Sequence, residues 1–217
     1  MKDADIHKVV AVLRREVAKW PQPVVGVVAE ENDPFLVLVS TILSLRTRDA
    51  VTSAASQRLF RLARTPKAML ALPPKTLERA IYPVCFYRVK TETLRGVCRD
   101  LLDRYGGKVP SELDELLTLK GVGRKTANLV VTLGFRKPGI CVDIHVHRIS
   151  NRLGYIRTKT PDESEAALRA RLPRRYWMTY NDLLVPYGQR LCTPVSPWCS
   201  LCKLRPWCSR RTVTRSR

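Results

Sequence analysis

The chain has 217 residues, of which 45% are hydrophobic, enough to bury the core of one large domain or two small ones. Thirty-nine Lys and Arg against nineteen Asp and Glu give a formal net charge of +20, which points to a polyanionic partner, with a membrane surface as the weaker alternative. No window approaches the ~18–20 apolar residues of a membrane-spanning helix, and MKDADIHKVV at the N-terminus lacks a signal-peptide layout, so an intracellular protein is expected.

Apolar residues at helical spacing predict an amphipathic helix over Asp5 to Trp20, with Ile6, Val9, Val10, Leu13 and Val17 inward and Pro21 and Pro23 ending it. Asn32, Asp33 and Pro34 form a helix start, and the run Phe35 to Leu45, apolar almost all round, predicts a buried helix. Asp49 is placed to cap the next helix, which runs to about Leu62 with Val51, Ala54, Ala55, Leu59 and Phe60 inward. Pro66 and the Pro73–Pro74 pair open two short helices. A longer one follows from about Arg88 to Tyr105, stopped by Gly106 and Gly107.

Ser111 with Asp114 resembles a capping box at the start of a helix over Glu112 to Thr118. Gly121 and Gly123 then flank Val122 in a turn expected to need glycine's freedom at both positions. The following helix begins at Arg124, with Ala127, Val130 and Val131 at helical spacing. This places Lys125 in its first turn, where the positive end of the helix dipole opposes a second positive charge and favours the neutral, nucleophilic amine. Asp143, eighteen positions later, is placed to cap a helix over Ile144 to Leu153. Pro161 starts another helix, and Tyr176 to Val185 forms the last long one before Pro186. No period-two alternation is long enough for a sheet, so the expected fold is all-α, with about ten helices and no repeat.

Three constellations carry chemistry. The helix–turn–helix around Lys120, Gly121, Val122, Gly123 and Arg124 presents backbone N–H groups at a helix start, suited to a phosphate oxygen without reading sequence; the plainer reading is a tight connection. Lys125 reads either as a nucleophile or as an ordinary solvated lysine, and Asp143 either as a reactive carboxylate or as a cap. Cys192, Cys199, Cys202 and Cys208 lie within seventeen residues in a C-x6-C-x2-C-x5-C pattern, which suits a tetrahedral zinc or a [4Fe-4S] cluster. Cys85, Cys98 and Cys141 are expected to be buried free thiols.

The hairpin GVGRKTAN, the segment VDIHVHR and the cysteine loop resemble, in order and separation, the endonuclease III family of DNA repair glycosylases with AP lyase activity. The resemblance covers nearly the whole chain. It implies two helical domains flanking a DNA-binding cleft: a six-helix barrel with the helix-hairpin-helix over 23–136, and an iron–sulfur domain from 1–22 and 137–217. It implies a monomer acting on damaged bases or abasic sites in double-stranded DNA, removing oxidised pyrimidines and cleaving by β-elimination. Lys125 stands at the catalytic lysine, Asp143 at the catalytic aspartate and the four cysteines at the ligands of a structural [4Fe-4S] cluster.

Three departures from the family pattern bear on specificity. Arg46, in Ser44-Leu45-Arg46-Thr47-Arg48-Asp49, stands where a glutamine commonly fills the space left by an extruded base. Phe86, in Cys85-Phe86-Tyr87, aligns with a leucine wedge. The loop TPVSPW between Cys192 and Cys199 has no basic residue, which moves the expected phosphate contacts to Lys203, Arg205, Arg210 and Arg211. Lys120 replaces the usual proline before the hairpin, and His145 and His147 are expected to be structural or DNA-facing. The competing functions are a mismatch glycosylase of the same superfamily, whose members typically lack the lysine, a non-catalytic iron–sulfur DNA-binding module, and a zinc protein.

Overall fold

A computed structural model describes residues 1–20 and 33–217. Pro21, Pro23 and Asn32, invoked above as helix boundaries, lie outside the described residues. Every regular element among the described residues is helical, as expected. The chain divides into two compact units, Val24–Lys137 and the combination of Met1–Pro23 with Pro138–Arg217. No helix among the described residues is long and apolar enough to cross a membrane.

The contiguous unit holds α2 (Pro34–Ser44), α3 (Asp49–Leu62), α4 (Pro66–Ala71), α5 (Pro74–Ile81), α6 (Tyr87–Tyr105), α7 (Leu113–Leu117) and α8 (Arg124–Leu129), the last running on as a π-helical turn over Val130–Gly134. Its centre is α2. The Asp33 side chain accepts from the N–H groups of Phe35 and Leu36, fixing the helix start, and Phe35 through Leu43 are all buried. Helices α3, α6 and α8 pack around it. Residues of α3 to α8, including Leu59, Met69, Leu77, Leu94, Leu101 and Val130, complete one apolar core.

Several local expectations are corrected here. Asp49 is the first residue of α3 and not its cap; Arg48 holds that position and caps with no side-chain bond. Ala54 is exposed, while Thr52 and Ser56 face inward. Ser111 does not start α7, whose N-cap is Glu112. Its hydroxyl instead donates to the Glu112 carboxylate and accepts from Lys137 Nζ, so the polar pair is spent on a link to the chain beyond α8. Cys85 is exposed, whereas Cys98 and Cys141 are buried as expected.

The second unit joins α1 (Ile6–Val17) to α9 (Ile144–Leu153), α10 (Pro161–Arg171) and α11 (Trp177–Arg190). Its core runs from Ile6, Val9, Val10 and Leu13 through Val146, Ile149 and Leu153 to Tyr180, Leu184 and Tyr187. The expected stop at Pro186 does not occur: α11 carries this proline inside and continues to Arg190. A proline there offers no N–H to the carbonyl of Asp182, four residues earlier. Burial of Leu183, Leu184, Tyr187 and Gly188 on either side of that weak point holds the helix together.

Burial also pushes the Asp182 carboxyl up to about 6. The folded chain then keeps a proton that the unfolded chain releases near the ordinary value of 3.8, so this contribution is complete below that value and is lost as pH rises through about 6. Asp182→Asn removes the buried charge, and calorimetry at about pH 7 is expected to find the melting temperature raised by roughly 2–4 °C, with the gain shrinking below about pH 5.

Candidate active site and DNA-facing residues

The hairpin between α7 and α8 is built as the glycine pattern requires at one position only. Gly121 has φ +87°, and a Cβ there would sit 2.5 Å from Cγ2 of Thr93, so both backbone conformation and space demand glycine. Gly123 is extended at φ −91°, ψ 174°, with open space where a Cβ would stand; neither constraint expected of it is present. It is the N-cap of α8 and contributes no side chain. Val122, between the two, is buried and anchors the turn to the core, and its N–H donates to the Leu119 carbonyl at 3.0 Å. Lys120, Gly121, Gly123 and Arg124 are exposed around it.

Lys125 occupies the first turn of α8 and is partly buried. It is followed by the buried Thr126, Ala127, Asn128 and Leu129. The Asn128 amide donates to the Arg124 carbonyl, and the Thr132 hydroxyl donates to that of Asn128, so the helix behind Lys125 is braced along its own axis.

Asp143 belongs to the other unit. One carboxylate oxygen, Oδ1, accepts from the N–H groups of His145 and Val146, each at 2.9 Å, so the residue caps α9. Neither bond uses Oδ2. Asp143 is 8% exposed, and its charge helps to hold Arg148 protonated against burial.

Arg148 and Arg152, one turn apart on α9, bind this helix to the cysteine loop. Arg148 donates to the carbonyls of Cys192 and Gly188. Arg152 donates to the carbonyls of Thr193 and Pro194, both at 2.7 Å, and to Cys192 Sγ at 3.4 Å. His145 lies against Arg148, and His147 pairs with the Ser164 hydroxyl at 2.6 Å, giving both histidines partners within the unit.

The four cysteines are partly buried. Burial pushes the thiols of Cys202 and Cys208 up, and the charges of Cys192 and Cys199 add to the rise in both. Tyr187 Oη lies 3.2 Å from Cys202 Sγ, and the Arg210 N–H donates to Cys208 Sγ. Among the described residues no group of three or more His, Cys, Asp and Glu stands arranged to hold a metal ion. The chemistry of the donor set nevertheless fits an anionic iron–sulfur cluster: four soft sulfur donors stand partly buried in one loop, and Arg152 Nε, buried on a side chain that reaches Cys192 Sγ, has no hydrogen-bond partner among the described residues. Lys203, Arg205, Arg210 and Arg211 are all exposed nearby in the chain, while the carbonyls of Thr193 and Pro194 are turned toward Arg152.

Arg46 and Phe86, forty residues apart in sequence, come together. The Arg46 guanidinium lies over the Phe86 ring, 5.9 Å from its centroid, and Phe86 is 57% exposed. Both residues hold left-handed backbone, φ +55° and +57°, unusual for side chains of this size. The expectation that treated them as separate features missed this pairing. It also missed Lys90, Arg148 and Arg152, basic residues whose acceptors are mostly backbone carbonyls of remote segments; only the four-residue spacing of the last two was visible.

Comparison with known proteins follows the same lines. The family model of HhH-GPD superfamily base excision DNA repair proteins matches residues 39–174. Endonuclease III of Thermotoga maritima is 49% identical over 179 residues, 82% of this chain and 84% of that one. A solved non-covalent endonuclease III–DNA complex matches at TM-score 0.86 and 33% identity, over 97% of this chain and 96% of that chain. A trapped endonuclease III–DNA covalent intermediate, an estranged-adenine complex, matches at TM-score 0.85 and 33% identity over 97% of each. The all-helical fold, the hairpin and the sequence relationship agree, and the chain belongs to the HhH-GPD superfamily of base excision DNA repair proteins and, within it, to the endonuclease III family.

Proposed function

We propose that Lys125 is the nucleophile and Asp143 the assisting carboxylate of a bifunctional glycosylase that removes oxidised pyrimidines from duplex DNA. The enzyme is a DNA N-glycosylase with lyase activity at apurinic or apyrimidinic sites, as its family is. The observation that carries the residue assignment is the lysine in the first turn of α8, directly after a hairpin whose glycine backbone is exposed. A covalent endonuclease III–DNA intermediate at 33% identity supports a protein nucleophile.

The damaged base leaves the stack, most cheaply where pairing is already weakened. The Lys125 amine attacks C1′ of the sugar, the bond from C1′ to the base breaks, and the base departs with the electron pair and takes a proton. Ring opening gives a Schiff base between Lys125 and C1′. Loss of a C2′ proton then forms the C2′–C3′ double bond and expels the 3′ phosphate, and water releases the lysine. The Asp143 carboxylate stabilises positive charge developing on the sugar and assists the proton transfers. Its role as a cap supports this, because bonds from His145 and Val146 to Oδ1 fix the carboxylate without engaging Oδ2.

The remaining residues bind and position. Lys120 and the backbone of Gly121, Gly123 and Arg124 hold a phosphate, on a turn that the buried Val122 anchors. Phe86 enters the stack as a wedge, and Arg46 occupies the space of the extruded base and hydrogen-bonds its orphaned partner. The segment 23–136 is the barrel domain, 1–22 with 137–217 the cluster domain, and the protein acts as a monomer. Cys192, Cys199, Cys202 and Cys208 hold a [4Fe-4S] cluster, which when bound cross-links the C-terminal loop and takes no part in base removal. Arg152, buried with an unpartnered Nε, supports an anionic group at that place.

Borohydride reduction during turnover makes the Schiff base permanent. A covalent adduct is expected on duplexes carrying thymine glycol or an abasic site and not on a mismatch, and Lys125→Ala is expected to abolish it; adduct persisting in that variant excludes Lys125. Asp143→Asn keeps an acceptor for the cap and is expected to melt near wild type while turning over at least about 100-fold more slowly. Asp143→Ala is expected to lose about 1 kcal/mol of stability as well, measured by denaturant titration. Replacing Cys199 by Ser is expected to remove the brown colour and iron of the purified protein, whereas a colourless wild-type protein containing zinc would contradict the cluster.

A further inference from the structure

Lys90, on α6, is only 7% exposed and has no carboxylate partner among the described residues, yet all three hydrogens of its ammonium are used. Nζ donates to the Leu43 carbonyl at 2.8 Å, to the Leu45 carbonyl at 2.6 Å and to the Thr47 hydroxyl at 3.2 Å. The first two acceptors lie at the C-terminus of α2, where the helix dipole favours a cation. The Thr47 hydroxyl donates to the Leu45 carbonyl and accepts from the N–H of Cys85. The Lys90 N–H itself donates to the Phe86 carbonyl at 3.0 Å. One side chain thus ties together the two segments in which Arg46 and Phe86 stand, each residue in left-handed backbone and the guanidinium over the ring.

We propose that Lys90 is a positioning residue for base extrusion, holding the Arg46 loop against the Phe86 turn so that the two side chains enter the duplex as one unit. The proposal rests on the reading that Arg46 and Phe86 probe the duplex. Burial pushes the ammonium down to about 8, partly opposed by the nearby Cys85. The unfolded chain keeps its proton to about 10.5, so below about 8 the folded state bears the full cost of burying this charge. A residue serving stability alone has an easy alternative in an apolar side chain; loss of the three hydrogen bonds, by contrast, frees both left-handed residues to relax.

Lys90→Met keeps the length of the side chain and removes its donors. Single-turnover excision of thymine glycol is compared with borohydride trapping on an abasic site, which holds no base to extrude. The expected result is that the ratio of the first rate to the second falls by about 10- to 100-fold, the scale of an ångström-level misplacement. In an Arg46→Ala, Phe86→Ala background the same substitution is expected to lower the ratio no further, because its effect runs through those side chains. Equal losses on both substrates, or a full further loss in that background, would overturn the proposal. If Lys90→Met does not fold, Thr47→Val decides: a selective loss of thymine glycol excision supports the proposal and wild-type ratios refute it. A wild-type protein inactive on thymine glycol defeats the functional reading itself, whereas an active wild type matched by Lys90→Met defeats only this one.

Discussion

The contiguous unit depends on one constraint: a helix that no side of which can face water. Phe35 to Leu43 are buried without interruption, and burying each large apolar side chain is worth about 1.5–3 kcal/mol. Every neighbour is placed by the need to cover that surface, and α3, α6 and α8 do so. The helix that bears Lys125 is therefore seated on the same element whose C-terminal end leads into Arg46. A single buried rod thus serves two uses, its flank supporting α8 and its end feeding the exposed loop, and on the proposed function these set the chemistry and the lesion probing.

Burying a helix completely moves the difficulty to its end, where carbonyls lose their intrahelical donors. Lys90 supplies donors to Leu43 and Leu45. In the other unit Arg148 and Arg152 do comparable work for carbonyls of the cysteine loop. Much of the +20 charge is thus exposed on the surface, but a few of the basic residues are structural donors turned inward. Charge counts alone do not separate the two populations.

That limit explains what could be read in advance. The all-helical class, the buried α2, the Asp33 start, the position of Lys125 and the Asp143 cap follow from periodicity and capping chemistry, which act over a few residues. The family followed from motif order. At Pro186 local propensity ends a helix, while burial of its neighbours in α11 overrides it. Two glycines flanking Val122 look equivalent in sequence, although only Gly121 meets Thr93. Nothing within three residues of Ser111 announces Lys137 as a partner that competes with a cap. The roles of Lys90, Arg148 and Arg152 depend on carbonyls about forty residues distant, information that no local pattern contains.

The interleaving of the two units along the chain imposes an order on biosynthesis. Residues 24–137 emerge from the ribosome as one uninterrupted segment and bury their core among themselves. Helix α1 is made before that segment, yet it packs on α11, which is made after it. The amphipathic face of α1 must therefore stay uncovered while residues 24–137 are made, and the cysteine loop, which follows α11, meets a unit that can close only once α11 is in place.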